Sequence, residues 1–120
     1  MMNQWIFVYP PSTLTAPLKV GAPFNLCLGA AYCISYLTHQ GIKAAPFLTP
    51  GPVNIHEGVK QILARNPNLV GFTVYNSNYG SCRLMARALK KAAPKTIVVF
   101  GGPTASVQAG PLLETNDFVD

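Results

Sequence analysis

Acidic side chains are scarce: Glu57, Glu114, Asp117 and Asp120 are the only four in 120 residues, against nine lysines and arginines. The net charge of +5 therefore reflects missing acids more than gathered bases, and no basic track of the kind that follows a nucleic acid runs along the chain. Arg83, Arg87, Lys90 and Lys91 gather on one predicted helix opposite its apolar stripe, which reads as a solvated face in preference to a phosphate patch. Cysteine is sparse and odd in number. Cys27, Cys33 and Cys82 contain no CxxC pair, which argues against a disulfide framework and a structural zinc site. The three read as reduced core thiols of a cytoplasmic protein. The amino terminus lacks a basic segment followed by an apolar run, so no signal peptide is expected. Between Val20 and Thr38 no residue is charged, a length that could cross a bilayer. Pro23, Asn25, Ser35 and two glycines interrupt that stretch, and a buried helix is the reading.

What is present is apolar surface to bury: 49% of the residues are hydrophobic and only 11% charged. A chain of this length forms one domain, 1–120, burying roughly two-thirds of its extended surface. The pattern predicts a first strand over Trp5–Tyr9, stopped by Pro10-Pro11-Ser12. A helix follows from about Phe24 to Gln40, with Cys27, Ala31, Ile34 and Leu37 at helical spacing and Gly41 as its cap. A second strand covers Lys43–Leu48. Asn54 and Glu57 then open a second helix that buries Ile55, Val59 and Ile62 and stops at Asn66-Pro67-Asn68. The continuous apolar run from Leu69 to Val74 or Tyr75 is a third strand buried on both faces. A third helix places Cys82, Met85, Leu89 and Ala92 on one face. Thr96–Phe100 is a fourth strand, Leu112–Glu114 closes a short fourth helix, and Phe118–Asp120 starts a fifth strand. Strands alternating with helices imply an α/β fold, a parallel sheet covered on both faces. Because the pattern stops as the fifth strand begins, a fragment of a longer protein is expected.

In open parallel sheets ligands bind at the carboxyl ends of the strands. The first strand ends at Pro10, Pro11, Ser12 and Thr13; the second at Thr49, Pro50, Gly51 and Asn54. The third ends at Tyr75, Asn76, Ser77, Asn78 and Tyr79; the fourth at Gly101, Gly102, Pro103, Thr104 and Ser106. None is a carboxylate, lysine, arginine or cysteine. A phosphoacceptor aspartate, a carboxylate pair for hydrolysis, a GxGxxG fingerprint with its ribose acid and a phosphate loop with its lysine are all missing. The histidines are His39, at the far end of its helix, and His56, so general acid–base catalysis is not expected. What remains suits a large, amide-rich ligand held by hydroxyls, amides and backbone. Glycine allows close approach and positive φ, so Gly101-Gly102 is either ligand clearance or a tight strand-to-helix turn. Tyr75 and Tyr79 offer flat apolar area, or else pack into the core and onto the third helix.

Four segments resemble the amino-terminal cobalamin-binding domain of cobalamin-dependent radical S-adenosylmethionine enzymes. They are Pro10-Pro11; the Gly29-Ala30-Ala31-Tyr32 helix with Ile34, Tyr36, Leu37 and terminal Gly41; Asn66 through Thr73 leading to Tyr79; and Val98 through Ser106. The resemblance implies a flavodoxin-like, Rossmann-like three-layer sandwich with a parallel sheet of four to five strands, truncated at the fifth. It implies a corrin ring over the carboxyl edge, with the Tyr75–Tyr79 loop beneath the ring. It also implies a nucleotide-tail channel lined by Gly101–Ser106, with cofactor contacts from Pro11, Ser12, Thr13 and Thr73. Classical carriers place a cobalt-binding histidine in a DxHxxG motif after the first strand; here Pro10-Pro11-Ser12-Thr13 stands there, as in many of the radical enzymes. Their CxxxCxxC cluster motif is absent, since Cys27 and Cys33 lie six apart within one helix. The four-iron cluster, S-adenosylmethionine and the methyl-transfer or other radical chemistry are therefore expected in a missing carboxyl-terminal domain. No residue of this chain is expected to be catalytic or to bind a metal.

The expected partners are cobalamin and that missing domain, with no nucleic acid and no membrane span. The incomplete sheet edge would permit pairing with a second copy. A flavin- or nucleotide-binding module, or an interaction domain with an empty edge, remain the alternatives; corrin or flavin absorbance separates them.

Overall fold

Valine, isoleucine and phenylalanine alternate around short strands, and each strand presents two apolar faces that only a layered structure can cover. The computed structural model describes residues 4–9, 19–20, 28–47 and 53–120. Its elements are β1 (Gln4–Val8), β2 (Lys19–Val20), α1 (Leu28–His39), β3 (Lys43–Pro46), β4 (Val53–Asn54), α2 (Ile55–Leu63), β5 (Leu69–Thr73), a 3-10 turn over Asn76–Asn78, α3 (Tyr79–Ala92), β6 (Ile97–Gly101) and α4 (Pro103–Thr115). Four strands form one sheet in the order β3-β1-β5-β6, and every pair is parallel. With helices between them, this is the flavodoxin-like α/β fold that the strand–helix alternation implies. The short antiparallel ribbon of β2 and β4 is not foreshadowed by any turn signal.

The register sets the two faces of the sheet. Ile6, Val8, Val70, Phe72 and Val98 point to one side, where α2 contributes Val59 and Ile62 and α3 contributes Cys82, Met85 and Leu89; all are buried. Each large side chain sealed in this way is worth about 1.5–3 kcal/mol. Ala92, expected on the same stripe, is exposed, and Ala86 takes the buried position.

Trp5, Phe7, Leu69, Gly71, Ile97 and Val99 point to the other side, with Trp5 level with Leu69 and Ile97, and Phe7 level with Gly71 and Val99. α1 packs here against β3. It is not a buried helix: Ala30 is its one buried residue, while Leu28, Tyr32 and Tyr36, four apart, are 71%, 70% and 66% exposed. Charge-free sequence identifies a helix able to be buried; the described residues supply a partner only on its sheet side. No helix among the described residues is long and apolar enough to cross a membrane.

The caps follow the sequence. Gly41 ends α1 at φ 84°, and the Asn54 side chain accepts from the Glu57 N–H at 2.8 Å at the start of α2. The fourth helix is longer than expected. Pro103 opens it, suiting a first-turn position where no N–H is needed, and it reaches Thr115 with a kink at Gln108. Pro111 inside the helix removes a donor and crowds the preceding turn, which accounts for the kink.

The basic face of α3 is not simply solvated. Arg83 Nε donates to Asn116 Oδ1 at 2.7 Å, Arg87 lies over the Phe118 ring, and Lys90 pairs with Asp120 at 2.6 Å. Three of the four bases thus fasten residues 116–120 to the domain. Residues 118–120 form no strand, yet the Asp120 N–H donates to Val98 O at 2.8 Å and the Val98 N–H donates to the Asp120 carboxylate. The segment lies along the free edge of β6, where the fifth strand is expected. The Lys90 hydrogen bond, aided by the Val98 N–H, holds the Asp120 carboxyl below its ordinary range.

Candidate functional site

The carboxyl ends of β1, β5 and β6 lie side by side, so Tyr9, the Val74–Tyr79 segment, and Gly102 with the first turn of α4 share one edge. Pairing continues past the strands: the Val74 N–H donates to Gly101 O at 2.8 Å and the Thr104 N–H to Val74 O at 3.3 Å. The chain then turns through Gly102 at φ 91° and ψ −176°, a region open essentially to glycine alone. A Cβ at this position would lie 3.0 Å from Val74 O and 3.1 Å from Val74 N. The tight-turn reading of the second glycine is therefore correct, whatever else the loop does. Ser106, one turn on, directs its hydroxyl to Gly102 O at 3.0 Å.

The edge residues divide by where their polar atoms go. Asn78 is 1% exposed; its Oδ1 accepts from the Tyr75 N–H at 2.7 Å and its Nδ2 donates to Thr73 O at 2.9 Å. Thr104, 7% exposed, donates to Asn76 Oδ1 at 3.0 Å. Tyr79 turns toward α4: its hydroxyl accepts from Asn116 Nδ2 and Arg83 sits over its ring. Tyr75 stays at the edge, its ring 5.7 Å from that of Tyr9. Asn76 and Ser77 are exposed there. Pro11, Ser12 and Thr13 lie outside the described residues.

From this edge an apolar trough of about 360 Å³ descends between α1 and the sheet. Gly71, Val99 and Gly101 form its floor, Gly29, Ala30 and Cys33 of α1 its wall, and Tyr75, Gly102 and Pro103 its mouth; Phe7 and Thr73 also line it. The space exists because the floor and wall are built largely of glycine and alanine. Among the described residues no charged side chain lines it. Phe7, Cys33 and Val99 also border a second apolar hollow of about 370 Å³, which runs on to Trp5, Tyr36 and Leu69. An apolar trough with Thr73, Tyr75 and backbone toward its mouth can hold a flat apolar group in its depth and a polar one at its rim.

Reasoning from strand ends alone misses the trough and misses Tyr9. Their signals were a glycine in the middle of a buried strand, Gly71, small residues opening a helix, Gly29-Ala30-Ala31, and an aromatic as the last residue before Pro10-Pro11.

The thiols do not converge. Cys33 is exposed on α1 and faces the trough, not the core that the sequence suggests for it. Cys82 is fully buried on the opposite side of the sheet, and burial pushes its thiol up to about 12. Cys27 lies outside the described residues. Among the described residues no group of three potential ligands could hold a metal ion.

The sequence profile of the family described as B12 binding domain matches residues 26–120, more than half of the chain, and the chain belongs to that family. No curated protein matches it closely enough to count as a relative.

Proposed function

We propose that this cobalamin-binding domain holds the corrin across its carboxyl edge, above Tyr9 and Tyr75, with the nucleotide tail of the cofactor in the trough beneath. One observation carries this reading: an uncharged, glycine- and alanine-walled trough opens at the strand ends, inside the span that matches the family. A benzimidazole is flat and apolar and suits Val99, Gly71 and the α1 wall. The sugar and phosphate of the tail need polar, uncharged neighbours, and Thr73 with the Gly101-Gly102-Pro103 turn stands at the mouth. Pro11, Ser12 and Thr13 complete the proposed contact set, with Asn76 and Ser77 beside the ring. Bound cobalamin would supply an organocobalt centre able to carry a methyl group. The chain's own share is to grip, orient and shield it.

Pro10-Pro11-Ser12-Thr13 stands after the first strand where a classical carrier has its cobalt-binding histidine, so uptake should occur with no histidine on cobalt. Hydroxocobalamin titrated into the protein is expected to bind one to one, with the absorbance of a base-off, histidine-off corrin. An unchanged spectrum together with no heat on calorimetry would refute the reading.

The finer assignment rests on the resemblance: a domain serving a radical S-adenosylmethionine enzyme, most often for methyl transfer, whose cluster lies on another domain of a longer, cytoplasmic protein. The sheet separates Cys33 from Cys82, so these two thiols do not meet at one cluster. Iron, sulfide and S-adenosylmethionine added anaerobically to this chain should give no four-iron cluster and no reductive cleavage. A stoichiometric cluster, read by its iron content and paramagnetic signal, would sink the assignment.

A further inference from the structure

Several polar side chains of the ligand edge direct their hydrogen bonds onto the protein itself. Asn78 bridges two backbone groups of its own segment, the Tyr75 N–H and Thr73 O, at 2.7 and 2.9 Å. Cys82 Sγ approaches the same Thr73 O and Asn78 Oδ1, each at 3.7 Å, which packs the bridge against the core. Across the gap to the next loop, Thr104 Oγ1 meets Asn76 Oδ1 at 3.0 Å, a contact spanning 28 residues of sequence. Two backbone hydrogen bonds run beside it, Val74 N–H to Gly101 O and Thr104 N–H to Val74 O.

We infer that Asn78 and the Asn76–Thr104 pair are positioning residues that lock the β5–α3 and β6–α4 loops to each other, so that the cofactor meets one preformed rim. This rests on the reading of that rim as the cobalamin site. Asn78 shapes its segment; the Thr104 hydroxyl ties that segment to the glycine turn at the trough mouth. A rim held in its bound shape spares the ordering cost that a loose loop pays on binding. Thr104 then matters through the hydrogen bond its hydroxyl gives to Asn76.

Asn78→Ala removes the side-chain partner of the Tyr75 N–H and of Thr73 O at once and is expected to unfold the segment, so the gentler Thr104 carries the test. Thr104→Val exchanges the hydroxyl for a methyl of similar size, Thr104→Ser keeps it, and Asn76→Ala removes the other end. Amide hydrogen exchange across residues 75–79 is measured in the cofactor-free protein. Thr104→Val and Asn76→Ala should each speed it about fivefold, the factor one net hydrogen bond is worth. The double variant should be no faster than either single variant, and Thr104→Ser should match the parent. Hydroxocobalamin affinity of Thr104→Val should fall by a similar factor, with Thr104→Ser restored. Unchanged exchange in Thr104→Val, or full additivity in the double variant, would overturn the inference. If the parent protein takes up no cobalamin, the cofactor reading fails, while the exchange data still decide whether the two loops are locked.

Discussion

Gly102→Val should lose about 2–6 kcal/mol of folding stability, a large part of the total of about 5–15 kcal/mol that a domain of this kind commands. Two costs combine. The backbone at φ 91° lies where a side chain is strained by about 1–3 kcal/mol. The new Cβ would also meet Val74 O at 3.0 Å and Val74 N at 3.1 Å, backbone atoms engaged in hydrogen bonds with Gly101 and Thr104 that have nowhere to retreat; such overpacking costs about 1–3 kcal/mol. A nucleotide-tail channel lined by Gly101–Ser106, as the resemblance implies, would have this substitution obstruct the tail more than the fold. The geometry reverses that order, because the first carbon of any side chain already strikes the backbone. Gly102→Ala should therefore be nearly as damaging as Gly102→Val. Urea midpoints of the two variants decide it: an alanine variant with the parent midpoint would show that the turn tolerates a Cβ.

Gly71→Val should do the opposite: spare the fold and close the trough. A Cβ on Gly71 would lie 3.0 and 3.1 Å from Phe7 Cδ1 and Cε1, the flank of a ring that is only half-buried and can turn away as a whole. Valine suits a strand, and the intrinsic preference spans about 1 kcal/mol, so the apo melting curve should move little. The added methyl groups and the displaced ring both enter the proposed tail channel. Overpacking of about 1–3 kcal/mol charged to the complex alone corresponds to a loss of roughly 5- to 150-fold in hydroxocobalamin affinity. Parent-like binding by a correctly folded Gly71→Val would place the tail elsewhere. The two glycines thus separate turn from channel: one substitution is read in denaturant, the other in a titration.

Much of the scaffold was legible before any coordinates. The apolar runs at Trp5–Tyr9, Leu69–Val74 and Thr96–Phe100 became β1, β5 and β6, and Asn54 and Gly41 cap the helices they adjoin. Those signals are local and have a single physical meaning. The β2–β4 ribbon was not legible because two-residue strands bury too little to leave a pattern. The length of α4 was hidden because Pro111 reads as a stop, whereas tertiary packing of Leu112 carries the helix through the kink. Among the described residues the segments after β5 and β6 stand at the carboxyl edge as expected, but the direction of their side chains was not legible. An asparagine or threonine in a loop bonds a ligand or the local backbone equally well, and nothing in the letters distinguishes Asn78, turned inward, from Ser77, exposed at the edge. The trough escaped notice because it is made of absent side chains, at Gly29, Gly71 and Gly101, and of a helix–sheet gap that only the assembled layers create.

The strand order has a consequence for how the protein comes to be made. β1 sits between β3 and β5, and its partner across one edge, Leu69 for Trp5, is synthesised 64 residues later. While the chain emerges from the ribosome, β1 can pair with β3 but must wait for β5, its open edge and the apolar residues of α1 exposed meanwhile. Pairings this distant in sequence fold slowly and leave aggregation-prone intermediates. Yield during expression should therefore depend more on temperature and synthesis rate than the stability of the finished sheet would suggest.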